Sequence, residues 1–376
     1  MKKVVIAIDS FKGCLPSAEA GKAAAEGIRS VYPECEVICL PIADGGEGML
    51  DVLIMATNGQ EIPISAHDPL MKWHNTYYGI SENGKTAFIE MASISGLPLV
   101  PPEKRNPMLT TTYGTGEIIR DALERGCRNF TIGIGGSATN DAGLGMLQAL
   151  GFHFSDKKGK EIGTGRGEAL IKVAHIDSTC VHPALNSCRF TVACDVQNPF
   201  YGPEGAAYVF APQKGADREM VEALDAGLQN FAEVIRHTTG KDISNHPGAG
   251  AAGGMGGSLL AFLNAELKPG IQLMLEALDF SNKIKNADLI ITGEGKADRQ
   301  TLMGKVPSGI LAEARKQDIP VILLAGNIED SDELQQAGFE GVFSVNPPFI
   351  SLEESMRPEV ARKNIQQTVE CICKKK

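Results

Sequence analysis

The chain begins with a short β-branched run. Residues 3–8 are apolar at successive positions rather than at alternate ones after the opening lysine, which predicts a parallel strand buried on both faces. A helix is expected from Ser17, as its cap, to about residue 29, with Glu19 and Glu26 inside it. Residues 37–40 predict a second strand and residues from 49 a second helix, in βαβα order. The pattern then changes. Residues 74–80 and 86–91 read as two strands around Ser81-Glu-Asn-Gly-Lys85, and Asn83-Gly84 is a strong hairpin signal. Further on, a helix is predicted over 114–125, a strand over 130–134, a helix up to about 150 and a strand over 189–194. A long amphipathic helix over 216–237 carries Val221, Leu224, Leu228, Phe231 and Ile235 on one stripe. The α/β order returns with a strand over 287–292, a helix over 306–317, strands over 320–325 and 341–345, and a last helix opening at Pro358. Because the two chain ends are alike and the middle is not, the pattern predicts an α/β protein of two different domains. An open parallel-sheet domain is built from residues 1–70 and 280–376, and a second α/β domain, 71–279, is inserted in it.

Composition narrows the class. A chain of 376 residues is long enough for two cores. Its 42 glycines exceed the usual share, and much of the excess lies at 133–145, 248–257 and 293–309, without a collagen period or a Ser-rich linker, which points to tight loops. A net charge of −10 argues against nucleic acid as a partner and means that any nucleotide must be held by local donors and a cation. Nine cysteines, an odd number with no C-x-x-C spacing, read as reduced thiols in a reducing compartment, hence the cytoplasm. Lys2 and Lys3 before an apolar run of five residues imitate a secretory leader, but a leader core needs roughly 7–15. No apolar stretch reaches the ~18 residues of a membrane span.

Two motif matches are deceptive. Gly79-Ile-Ser-Glu-Asn-Gly-Lys-Thr86 satisfies the P-loop pattern, yet a strand pattern follows it where a helix is required, so it reads as the hairpin turn. Gly133-x-Gly135-x-x-Ala138 matches a dinucleotide fingerprint, with Asp156 as the ribose acid, but the polar Ser137-Ala-Thr-Asn-Asp141 lengthens the loop before the helix. Gly135, Gly136, Ser137 and Asn140 suit an anion cradle better. Four more glycine-rich loops resemble it in character: 9–13, 44–48, 247–254 and 292–298. Three of these four follow predicted strands, where ligands of open α/β sheets bind. Acidic residues beside donor-rich loops would repel phosphate unless a divalent cation lay between, and donors, carboxylates and a few cations together are what phosphoryl transfer requires. On this reading Lys12, Asp44 and Asp195 are the catalytic candidates, with Asp195 as proton acceptor or, equally, a turn cap. Ser10, Lys12 and Lys305 are candidates for the acceptor substrate. Gly295 joins the nucleotide set, and Glu294 and Asp298 are the metal-binding candidates.

Seven blocks in order carry a family resemblance: Asp9-Ser-Phe-Lys-Gly13, Ala43-Asp-Gly-Gly-Glu-Gly48, Thr111-Thr-Tyr-Gly-Thr-Gly116, Gly135-Gly-Ser-Ala-Thr-Asn-Asp141, Phe210-Ala-Pro-Gln-Lys-Gly215, Gly248-Ala-Gly-Ala-Ala-Gly253 and Gly293-Glu-Gly-Lys-Ala-Asp-Arg-Gln-Thr301 through Lys305. They resemble the class I glycerate kinases from Lys3 to at least Pro347. The resemblance implies a flavodoxin-like domain with a second domain inserted, a site in the cleft between them, ATP and Mg²⁺, and D-glycerate phosphorylated at O2. The catalytic base is not among its implications. A monomer or homodimer working on small molecules is expected, with no nucleic acid or membrane partner. A nicotinamide-dependent hydroxy-acid oxidoreductase using Gly133 to Ala138 and a nucleotide-sensing regulator with a degenerate site stand as alternatives.

Overall fold

The protein is described here by a computed structural model covering residues 1–46 and 48–375. Glu47 of the second glycine loop and Lys376 of the terminal lysine run therefore lie outside the described residues. The chain divides into two compact units, one of residues 1–44 and 271–376, the other of residues 45–270.

In the first unit five strands form one parallel sheet, in spatial order Gly341–Ser344, Val321–Ile328, Leu289–Ala297, Lys3–Ile8, Glu36–Cys39. Numbered along the chain this is 2-1-3-4-5, the flavodoxin-like order, whose switch point lies between the first and third strands. The continuous apolar runs follow from burial on both faces. Val4, Ile6 and Ile8 pack with Leu289, Ile291 and Leu324 under the helices Ser17–Val31 and Pro358–Cys373. The alternate Val5, Ala7, Ile290 and Leu323 are equally buried on the opposite face, and the helix Val306–Arg315 packs against the same strands. The strand expected over 287–292 runs from Leu289 to Ala297, because its carboxyl half pairs on with Val321–Ile328 through Glu294↔Ala325 and Lys296↔Asn327. Ser17 does not cap the first helix as expected. Its hydroxyl donates to the Ile8 carbonyl (2.6 Å) and accepts the Ile42 N–H (2.9 Å), tying two strand ends together.

The second unit holds a six-stranded mixed sheet in order Glu266–Lys268, Arg189–Ala193, Asn129–Gly133, Thr86–Glu90, Trp73–Ile80, Gln60–His67. The first four strands run parallel and the last two pair antiparallel. The hairpin at Asn83-Gly84 is present. Gly84 has φ +69°, its N–H donates to the Ser81 carbonyl at 2.8 Å, and Asn83 Oδ1 accepts the Lys85 N–H at 3.0 Å, so the P-loop-like string is a turn. Asp156 also serves a turn, accepting the N–H groups of Lys158 and Lys160 at 2.8 and 3.0 Å. The helix after the glycine loop begins only at Leu144, well beyond Ala138, so the dinucleotide spacing is not realised. The amphipathic helix spans Arg218–Thr239, capped by Asp217, with the predicted apolar stripe buried. The observed divisions at 44/45 and 270/271 differ from the expected 70/71 and 279/280. Residues 60–67, which carried no clear strand signal, pair along their whole length with Trp73–Ile80 and so join the second sheet. No helix among the described residues is long and apolar enough to cross a membrane.

Candidate active site

At the switch point of the first unit two loops meet. The first strand ends at Ile8, and the Asp9 N–H donates to the Gly293 carbonyl (2.9 Å), which fastens the following loop to the third strand. The Ser10 N–H donates to Asp9 Oδ1 at 2.7 Å. A tight turn closed by Phe11 and Leu15, with Gly13 at φ +73°, presents Lys12 at its tip, where the ammonium pairs with Asp44 at 3.4 Å. From the third strand comes Glu294, only 7% exposed. One of its oxygens lies 3.7 Å from Lys305 Nζ, and the other, Oε1, is buried without a partner. Asp9, Ser10, Lys12, Asp44, Glu294 and Lys305 line a single cleft of about 400 Å³, with Gly295 on its wall.

The electrostatics follow from this crowding. Burial pushes the Asp9 carboxyl up to about 7 and Asp44 adds to the rise, while the Ser10 N–H and Lys12 oppose it. Burial also raises the Glu294 carboxyl, against Thr301 and Lys305. Asp298 is placed differently. It caps the turn Arg299–Leu302, accepting the Gln300 N–H at 2.8 Å, and lies 3.5 Å from Lys296. Burial pushes this carboxyl up, but the Gln300 N–H, Lys305 and Lys296 outweigh it and hold the group below its ordinary value. Among the described residues no three His, Cys, Asp or Glu side chains are grouped to hold a metal ion. The partnerless Glu294 oxygen beside Asp9 and Asp44 is nonetheless the hard-oxygen chemistry that suits a Mg²⁺ arriving with phosphates, since that ion keeps several waters and takes only one or two carboxylates.

The second unit carries the glycine loop after the strand Asn129–Gly133. Gly135 and Gly136 are exposed, and Gly136 takes φ +71°, which a side chain would strain. Ser137 is nearly buried, and its Oγ accepts a hydrogen bond from Lys214 Nζ at 2.8 Å. Lys214 also donates to the Thr139 carbonyl at 2.6 Å. Asn140 is fully buried, and neither of its amide atoms has a partner. Asp141 is fully buried and well satisfied. It accepts the Thr112 N–H and hydroxyl, both at 2.8 Å, and the Gly143 and Gly145 N–H groups at 3.2 Å. Asp195, two residues beyond the strand Arg189–Ala193, is exposed and accepts the Gly270 N–H at 2.8 Å.

Residues 4–375 match the Glycerate kinase family. The chain belongs to the glycerate kinase family. It is 48% identical to the glycerate kinase of Bacillus subtilis over 354 residues, covering 94% of this chain and 92% of that one. It is also 48% identical to the glycerate 2-kinase of Escherichia coli over 356 residues, covering 94% and 93%. The crystal structure of a protein described as glycerate kinase 2 from Salmonella typhimurium LT2 superposes with a TM-score of 0.90 at 43% identity, covering 100% of this chain and 98% of that one.

For a glycerate kinase family member, sequence reasoning grouped the residues unevenly. Ser10, Lys12, Asp44, Glu294, Gly295 and Lys305 come together in one cleft, with Gly295 of the nucleotide set beside Lys12. Asp298 uses Oδ1 to cap a turn. Two residues were underrated. Asp9 stood inside a quoted motif, and its place at the carboxyl end of the first strand was the available signal. Lys214 likewise stood inside a quoted block, and nothing adjacent in sequence shows that it is buried beneath Ser137.

Proposed function

We propose that this chain transfers the γ-phosphoryl group of ATP to O2 of D-glycerate, giving 2-phosphoglycerate and ADP. The observation that carries the reading is the convergence of Asp9, Asp44 and Glu294 with Lys12 and Lys305 in one cleft at the switch point. The names of relatives matching most of both chains, glycerate kinase and glycerate 2-kinase, support the substrate and the position. Lys12 and Lys305 anchor the glycerate carboxylate, with Ser10 directing a hydroxyl. The exposed amides of Gly135 and Gly136, with Ser137, receive the phosphates of ATP through neutral donors, which an acidic chain needs locally. Glu294, through its partnerless oxygen, and Asp298 are the side chains that would hold Mg²⁺. That ion supplies neutralisation of the charge on the transferring phosphoryl group.

Asp9 is favoured as acceptor of the O2 proton. A base works best with an affinity near the operating pH, and Asp9 is pushed up to about 7 in the same cleft as both lysines. Asp195, the other candidate, has Oδ1 engaged by the Gly270 N–H, which supports a capping role. The cysteines other than Cys373 are free thiols, which suits a reducing cytoplasm. The test is an assay with ATP, Mg²⁺ and D-glycerate coupled through enolase, pyruvate kinase and lactate dehydrogenase, without added phosphoenolpyruvate or phosphoglycerate mutase. Immediate NADH oxidation is the expected result. A signal that appears only after mutase is added means transfer to O3, and silence in both cases overturns the assignment.

A further inference from the structure

Lys214 is 2% exposed, and its ammonium makes no ion pair among the described residues. Its two partners, Ser137 Oγ and the Thr139 carbonyl, are neutral. One charged side chain, Asp141, bears on it at longer range, and that carboxylate is already occupied by four donors. A lone buried cation is costly unless something compensates it, so its place behind the loop calls for a function. The loop's inner side is also incompletely satisfied, because Thr139 Oγ1 and both Asn140 amide atoms are buried without partners.

We propose that Lys214 is a positioning residue of the anion-binding loop: by donating to Ser137 Oγ from behind, it turns the serine hydroxyl proton toward the exposed side of Gly135 and Gly136, where a phosphate oxygen is received. The geometry follows from donor bookkeeping. A hydroxyl has one proton and two lone pairs. When an ammonium fills one lone pair, the serine cannot donate back to it, and the proton is released for a ligand. Chains of this kind also polarise the outer donor. The Thr139 carbonyl fixes the lysine from a second side at 2.6 Å, so the loop and the cation hold one shape. If Lys214 loses its proton, the amine becomes an acceptor, the Ser137 hydroxyl turns inward, and the outward donor is lost. Burial holds the Lys214 ammonium down at about 7, with Asp141 opposing the shift, so this reversal falls in an accessible pH range.

The inference rests on the reading that this loop takes nucleotide phosphates, and ADP binding by calorimetry separates the two. Wild-type protein that binds no ADP overturns both. Wild-type protein that binds ADP supplies the reference for Lys214→Met, Ser137→Ala and the double variant. The expected result is an affinity loss of about tenfold in each single variant, as for one charge-assisted donor. The double variant should be no weaker than the worse single, and KM for D-glycerate should be nearly unchanged. Losses that multiply in the double variant, or an unchanged ADP affinity in Lys214→Met, overturn the role of Lys214. Should Lys214→Met fail to fold, the ratio of wild-type to Ser137→Ala affinity is followed from about pH 6 to pH 9.5, a window spanning the burial-lowered lysine. It should fall toward one as the pH rises, and a constant ratio overturns the proposal.

Discussion

Asp9 shows how one residue acquires its chemistry from its surroundings. It follows a buried strand, which any reading of residues 3–8 predicts. Its proton affinity, however, depends first on burial and then on Asp44, with Glu294 adding a little, all brought about by other parts of the chain. Its folded-state value is raised from 3.8 to about 7, so between those limits the folded protein binds more protons than the unfolded chain. Its contribution to stability is therefore fully present below about pH 4 and is lost as the pH rises through 7. Asp9→Asn keeps the acceptor for the Ser10 N–H but removes the titration. The variant should exceed wild type in stability by up to about 4 kcal/mol at pH 8, and by clearly less at pH 5. Calorimetric melts at the two pH values measure this, and a difference independent of pH would refute the assigned cause. The same variant should lose most of its kcat if Asp9 accepts the O2 proton. Ser17 illustrates the converse. Its composition suggests a cap, but the nearby Ile8 carbonyl and Ile42 N–H capture it instead.

Among the elements, helices and turns were the most legible parts of the chain. The stripe from Val221 to Ile235 and the Asn83-Gly84 turn depend on neighbours in sequence, and both are as predicted. Strand length was less legible. Gly293-Glu-Gly-Lys has loop composition, yet it is extended because Leu324 to Asn327 provide a partner. The packing of the helices Ser17–Val31 and Pro358–Cys373 was not visible at all, and it turns on Gly27. A Cβ added there would lie 2.5 Å from the Gln366 carbonyl oxygen. Gly27→Ala should gain up to about 1 kcal/mol of helix propensity but lose roughly 1–3 kcal/mol to overpacking against backbone. The clash should prevail, and the melting temperature should fall by a few degrees. A variant as stable as wild type would show that the helices separate without cost.

At the scale of the molecule, each unit has its own apolar core. One gathers Ile62 to Ala265, entirely within residues 45–270, and the other joins Val4 to Cys39 with Leu289 to Cys373. The first of these is continuous in sequence, so a fragment of residues 45–270 should fold alone, with a cooperative thermal transition. A fragment that melts gradually, with exposed apolar surface, would mean that its core is incomplete. The other unit needs both chain ends, because its central strands Lys3–Ile8 and Leu289–Ala297 come from opposite ends of the chain.

Read alone, the sequence determined that the chain is α/β with a parallel sheet shared by its ends, that glycine-rich acidic loops follow strands, and that seven blocks in order resemble one family. These properties are written in adjacent residues, through apolar runs, turn chemistry and spacing. Only the tertiary structure decided that residues 60–67 belong to the second sheet, that Asp298 and Asp195 accept backbone N–H groups, and that Asp9 stands beside Glu294 and Lys214 beneath Ser137. Strand order, burial and proton affinity arise from segments remote in sequence, whose meeting is set by how whole faces pack rather than by any local preference.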